Sequence, residues 1–181
     1  MSKIVTISDA EDIDQILGRM THEILEIHRG AENLVLIGIH TRGVFLARRL
    51  HDKIRAIEEV QLQFGQMDIT LYRDDWTRIG HHPIIRATHI PFSVDGKQII
   101  LVDDVLFTGR TTRAAMDALV DFGRPDRIEL AVLVDRGHRE LPIQGNYVGR
   151  QIVTRRADTV NVMLTESDGE DKIVVESGKE S

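Results

Sequence analysis

A chain of 181 residues with 41% hydrophobic residues, 14 Gly and 4 Pro is long enough for one ordinary core and too short for two independent ones, and its composition excludes a low-complexity chain. Having no cysteine, it excludes a disulfide scaffold and any thiolate metal site. A formal charge of -6 excludes coating nucleic acid through bulk positive charge and leaves only a local basic face open.

The opening "MSKIVTISDAEDID" has no apolar stretch of the length a signal peptide needs, and nothing later approaches a membrane span, so a cytoplasmic protein is expected. Ser8 with Glu11 three residues on reads as a capping box. Ile13, Ile16, Leu17, Met20, Ile24 and Leu25 then recur at helical spacing as far as Gly30, giving a first amphipathic helix. The run "LVLIGI" is continuously apolar, as in a strand buried on both faces, and "HTRG" leads from it into a helical stretch over 44–57.

From Leu62 the pattern "LQFGQMDITLYRD" alternates loosely. Residues 74–91 are polar and aperiodic, and so long a loop inside a compact domain marks a lid or binding loop. His81 and His82 in it lack a carboxylate or Cys at metal-ligand spacing and read as exposed loop residues, while Trp76 and the few other aromatics form no base-stacking array. A second buried strand is expected at 99–102, a helix over 111–122 ended by Gly123 with Pro125 beyond, and a third strand at 128–135. Strand, helix and strand in this order predict an α/β fold with a mainly parallel central sheet flanked by helices. "NYVGRQI" and "TVNVMLTE" read as shorter strands forming an edge or flap, and 170–181 as a loose tail. With no repeat and no linker, residues 1–181 are expected to form one domain.

The densest chemistry lies in "IILVDDVLFTGRTT". Ligands of open α/β sheets sit beyond the carboxyl ends of the strands, where loops lead into helix N-termini. Asp103 and Asp104 stand at such an end, and "TGRTT" adds hydroxyls, a glycine that lets backbone approach a ligand, and the free N–H groups of a helix start, which together suit a phosphate. The loop is neither a Walker loop nor a dinucleotide Gly-x-Gly-x-x-Gly. A lone Asp-Asp more often ends a strand and caps a helix; between a buried strand and an anion loop, the pair suits ribose hydroxyls and a Mg²⁺ held directly or through water.

This segment resembles the phosphoribosyl-pyrophosphate (PRPP) motif of type I phosphoribosyltransferases. The likeness extends through "GRMTHEI", "IGIHTRGVFLARRL", "DITLYRDD" and "GRPDRIELAVLVDRGHRELPI", which are similar to the PyrR family, bifunctional pyrimidine operon regulators with uracil phosphoribosyltransferase activity. The resemblance implies a single type I phosphoribosyltransferase domain with a flexible loop and a small hood, and the reaction of uracil with PRPP to give UMP and pyrophosphate. Val105, Leu106, Phe107, Thr108, Gly109, Arg110 and Thr111, with Thr112 adjoining, would line and hold the 5′-phosphate, and Asp103 and Asp104 would take the ribose hydroxyls. Mg²⁺, the implied cofactor, would lie by Asp104, ligated mostly through substrate and water. Asp104 would also stabilise positive charge developing on the ribose. Thr41 and Arg42, before Gly43, would form the pyrophosphate loop, joined by Arg73 when the long loop closes. Arg136 is the candidate hood over uracil, and a main-chain carbonyl near Val160 the acceptor for its N3–H.

Membership would also imply a second partner, a hairpin in the leader RNA of a pyrimidine operon, bound when UMP is present, with UTP or GTP as further candidate effectors. Candidate RNA contacts are Arg19, His22, His138, Arg139, Arg150 and Arg155, together with Arg156; apart from the resemblance they read as a solvated or interface face. The chain differs from the RNA-binding pattern at Gly18, where threonine is common, and at Gln144, where arginine is common. The enzyme alone, and a nucleotide sensor with negligible turnover, therefore stand as alternatives. Relatives imply a homodimer or larger homo-oligomer.

Overall fold

A computed structural model describes residues 3–72 and 87–178. Arg73, Trp76, His81 and His82, with most of the expected lid, lie outside them. In chain order the elements are β1 (Ile4–Ser8), α1 (Ala10–His28), β2 (Leu34–Ile39), α2 (Arg42–Glu58), β3 (Gln63–Met67), a 3-10 turn (Thr70–Tyr72), β4 (Gln98–Leu106), α3 (Arg110–Val120), β5 (Arg127–Asp135), β6 (Tyr147–Gln151), β7 (Thr159–Met163), α4 (Thr165–Asp168) and β8 (Lys172–Glu176).

The cap of α1 falls one residue later than the Ser8/Glu11 pairing expected. Asp12 N–H donates to Asp9 Oδ1 at 3.0 Å and Asp9 N–H to Asp12 Oδ2 at 3.2 Å, a reciprocal box. Ser8 is unavailable because it belongs to β1, where it pairs with Ile173, and its hydroxyl accepts from Arg150 at 2.6 Å. At the far end, Arg29 takes the left-handed conformation at φ 55° and its N–H returns to Glu26 and Leu25 carbonyls, closing the helix.

Five strands form a parallel sheet in the order β3-β2-β4-β5-β6. Its three central strands, β2, β4 and β5, are largely apolar because both their faces are covered. Leu34, Leu36, Ile100, Val102, Ala131 and Leu133 face α1 and α2, whereas Val35, Ile37, Ile99, Leu101, Leu130 and Val132 face α3. Each such Leu or Ile, taken fully from water, contributes about 1.5–3 kcal/mol. α1 is tied to the sheet by polar contacts as well: His28 Nδ1 meets Gln98 Oε1 and its Nε2 meets Glu129 Oε2, both at 2.6 Å. Tyr147 joins Glu129 at 3.1 Å, its phenol raised well above the ordinary range by burial and the adjacent carboxylate.

β1, β8 and β7 make a second, antiparallel sheet in that order, a hood over the carboxyl end of the main sheet. The expected tail at 170–181 is thus corrected. Residues 172–176 form the hood's middle strand, held by ladder bonds on both sides, and Ile173 is fully buried. The expected edge and flap separate: 147–151 ends the main sheet beside β5, and 159–163 belongs to the hood. β1 had no sequence counterpart in the expectation, since "IVTIS" is too short to show a period. No helix among the described residues is long and apolar enough to cross a membrane.

Register places the candidate chemistry. β4 runs to Leu106, four residues beyond the expected end at Val102. Its pairing with β2 stops at Gly38–Val102, while its pairing with β5 continues to Leu106–Asp135. Asp103 and Asp104 therefore lie beyond the paired part of β2. The connection from β2 runs to one side of this gap and that from β4 to the other, which makes it the switch point where open α/β sheets bind ligands.

Candidate active site

Asp103 is buried and Asp104 half-buried at the projecting end of β4. Backbone N–H groups orient both carboxylates: Asp104 N–H donates to Asp103 Oδ1 at 2.9 Å and Val105 N–H to Asp104 Oδ1 at 2.8 Å. Four residues later Gly109 turns the chain at φ 92°, a conformation that favours glycine, and α3 begins at Arg110. The first N–H groups of that helix have no partner within it and carry its positive dipole end. Thr108 to Thr112 thus form a loop and helix start whose hydroxyls and N–H groups could hold an anion.

Behind the cradle, the 138–143 segment fixes its shape. The Thr108 carbonyl accepts from Glu140 N–H at 2.9 Å and Leu141 N–H at 3.2 Å, and Arg139 donates to the Phe107 carbonyl at 2.9 Å. Glu140 takes Arg110 Nε at 2.7 Å and also pairs with Arg156, two guanidinia that hold its carboxyl below the usual range. Nothing in the local sequence announced Glu140, because its partners lie 30 and 16 residues away.

The pyrophosphate-loop candidates Thr41, Arg42 and Gly43 stand beside the aspartates. A Cβ on Gly43 would meet the Val102 carbonyl oxygen at 2.4 Å and Asp103 Cα at 3.1 Å, so only glycine lets α2 start this close to β4. Arg42 turns toward the hood and forks onto Asp168, Nε to Oδ2 at 3.1 Å and Nη2 to Oδ1 at 2.8 Å. Arg42 raises no barrier to ionisation of that acid: with help from Leu164 N–H and the Ser167 hydroxyl, it pushes the Asp168 carboxyl down to about 2. Asp168 is a site residue that sequence reading missed; "TESDGED" is legible only as an acidic run.

Arg42, Asp104, Asp168, Val160 and Lys172 line one cavity of about 460 Å³ between β4 and the hood. It brings together the expected ribose, pyrophosphate and base-reading positions. Arg136 lies outside this lining. Its guanidinium sits 4.0 Å over the Phe107 ring and donates to the Arg155 carbonyl at 3.0 Å, and burial lowers its pKa. Its Nε is buried with no hydrogen bond among the described residues.

The basic candidates form two groups. Arg19 donates to the Val148 and Gly149 carbonyls at 3.1 and 2.5 Å, Arg150 to Ile7 O at 2.9 Å, and both line a shallow cavity beside α1, on which His22 is exposed. His138, at φ 64°, faces the Thr154 carbonyl at 2.8 Å, and Arg155 pairs with Asp158 at 3.0 Å. Arg139 spreads its guanidinium over Ile143 O, Phe107 O and Asp135.

The family model described as the phosphoribosyl transferase domain matches residues 6–165. The chain is 57% identical to a protein of Desulfosudis oleivorans named Bifunctional protein PyrR, over 97% of both chains. It is 54% identical to a protein of the same name from Elusimicrobium minutum, over 93% of this chain and 94% of that one. Among solved structures, a Trypanosoma cruzi hypoxanthine phosphoribosyl transferase superposes with TM-score 0.72 at 17% identity, covering 94% of this chain and 90% of that one. A Bacillus anthracis hypoxanthine-guanine phosphoribosyltransferase does so with TM-score 0.71 at 17% identity, covering 98% and 99%, so the common fold extends over almost the whole chain. The chain belongs to the phosphoribosyl transferase domain family and, within it, to the PyrR family.

Proposed function

We propose that the chain transfers the phosphoribosyl group of PRPP to uracil, and that the UMP formed also governs its binding to pyrimidine operon leader RNA. One observation carries the enzymatic half: the Asp103–Asp104 pair lies beyond the paired part of β2 on the strand that leads into the 108–112 loop, and Asp104 shares a cavity with Arg42 and Val160. In this reading the 5′-phosphate rests on residues 108–112, the ribose hydroxyls on the two aspartates, the diphosphate near Arg42, and the base under β7. Arg73, which lies outside the described residues, is the further candidate for balancing the diphosphate charge.

The ribose carbon becomes cation-like as pyrophosphate leaves, so the chain works by positioning and charge stabilisation, with no protein nucleophile. Asp104 stabilises that charge, and Arg42 balances the departing anion. Among the described residues no three His, Asp or Glu gather as metal ligands, and the aspartate pair suits a Mg²⁺ completed by substrate oxygens and water. When bound, the ion supplies charge neutralisation for the diphosphate.

Asp104→Asn is the test within the site. UMP formation should fall by about 10²-fold or more, the usual loss of an electrostatic group in transition-state stabilisation, at unchanged thermal midpoint. Wild-type turnover in this variant would overturn the role.

For the RNA half, the support is the grouping of Arg19, His22 and Arg150 on one side and of His138, Arg139 and Arg155 around the segment that also shapes the phosphate cradle. A nucleotide in the cradle touches the structure that presents these cations. Arg139 acts here by bracing the segment.

A further inference from the structure

The clamp on Arg42 has more structure than an ordinary ion pair. Asp168 accepts four hydrogen bonds: two from Arg42 at 3.1 and 2.8 Å, one from Leu164 N–H at 2.9 Å and one from the Ser167 hydroxyl at 2.7 Å. Its carboxylate is therefore fixed in the hood before Arg42 meets it. The pair is mostly shielded, with 17% of the Asp168 side chain exposed against 35% for Arg42.

A second arginine on α2 gives an internal comparison. Arg49 forks onto Glu166 at 2.9 and 2.6 Å and onto Asp171 at 2.6 and 2.9 Å, bolting the same helix to the same part of the hood. Only the Arg42–Asp168 pair lines the cavity that holds Asp104. Arg42 Nη1 makes no hydrogen bond among the described residues, so one face of the guanidinium fork remains uncommitted.

Resting on the reading of that cavity as the PRPP site, we propose that Asp168 is a positioning residue for the diphosphate end of PRPP. It holds the Arg42 guanidinium by two parallel bonds in the orientation that leaves Nη1 to donate to a diphosphate oxygen. The physical advantage is preorganisation. An unclamped arginine loses its rotamer freedom when the anion binds, whereas a clamped one has lost it on folding. A lysine at 42 has no planar fork and gains nothing from the clamp. Asp168 itself touches no substrate and acts through Arg42.

Steady-state kinetics on the full chain test this. Asp168→Asn should raise KM for PRPP about tenfold, the scale of one well-placed charge-assisted hydrogen bond, with kcat and KM for uracil within about twofold. Asp168→Glu, which can rebuild the fork, should recover most of the loss. In an Arg42→Ala background Asp168→Asn should add nothing, because the residue through which it acts is gone. Glu166→Gln, which loosens the Arg49 bolt, should leave KM for PRPP unchanged. The proposal is overturned if Asp168→Asn leaves that KM unchanged, if its effect persists without Arg42, or if Glu166→Gln raises KM as much. Should Asp168→Asn not fold, Arg42→Lys decides: the same tenfold rise is expected, and a wild-type KM overturns the clamp. A wild-type chain that forms no UMP at all would instead remove the reading of the reaction, an outcome separate from these.

Discussion

A methyl group at residue 43 would stand 2.4 Å from the Val102 carbonyl oxygen, and a backbone atom offers no flexible end to move aside. Gly43→Ala must push the start of α2 away from β4, carrying Arg42 from the aspartates. The expected cost is about 1–3 kcal/mol of stability, as for other overpacked sites, with a fall in kcat/KM for PRPP of about tenfold or more from the misplaced loop. Thermal unfolding and steady-state kinetics read the two effects separately, and unchanged values in both would contradict the close approach. Residues whose partners are sequence neighbours were legible from the chain alone: Asp103, Asp104 and 108–112 follow one another, so motif and site coincide. Asp168 was not, because its bond to Arg42 spans 126 residues and an acidic run carries no sign of which acid meets which arginine. Arg136 shows the converse, a conspicuous "VDRGH" arginine whose charge is spent on Phe107 and two carbonyls rather than in the cavity lining.

The hood is an element seated on the core by Val160, Val162, Leu164 and Ile173 and tied to α2 by two arginines. Arg49 holds Asp171 and Asp168 is held by Arg42, and in both cases the arginine is the main reason the carboxyl lies at about 2. A carboxyl depressed in the folded state adds stability above its unfolded pKa, about 4, and loses it as pH falls through the folded value. Asp171→Asn should accordingly lower the thermal midpoint at neutral pH, and the gap from wild type should close as pH falls from about 4 toward 2. A gap undiminished in that window would show that the ion pair is not its source. Ending the chain at Gly169 removes the middle strand β8 and leaves β1 and β7 unpaired, so UMP formation should be lost; retention of activity would show that the hood is dispensable. The central parallel strands β2, β4 and β5 were visible in the sequence because burial on both faces leaves largely apolar runs. Of the hood, only β7 was read as a strand; β1 and β8 were not, since five-residue strands such as "IVTIS" and "KIVVE" acquire meaning only from long-range pairing, here Val5 with Val175 and Val160 with Val175.

At the scale of the whole molecule, the 138–143 segment joins the 108–112 loop to His138 and Arg139, and the proposed coupling of nucleotide to RNA would run through that continuity. UMP should tighten binding to the 5′ leader of a pyrimidine operon, and Arg139→Gln, which removes the tie to Phe107 O and the bond to Ile143 O within the segment, should weaken the UMP-dependent part. A filter-binding or calorimetric titration reads this, and weak binding to any RNA, indifferent to UMP, would leave only the enzyme. Gly18 is on α1 next to Arg19, with open space around it, and neither it nor Gln144 belongs to the cavity lining. The fold itself does not choose the base, since structures of the same architecture at 17% identity are hypoxanthine phosphoribosyltransferases. The central claim is therefore met most directly by offering the wild-type chain PRPP and Mg²⁺ with uracil and hypoxanthine in competition and following both nucleotides. UMP should form with one pyrophosphate released per turnover and IMP should not accumulate; IMP as the main product, or no nucleotide above a protein-free control, would contradict the account.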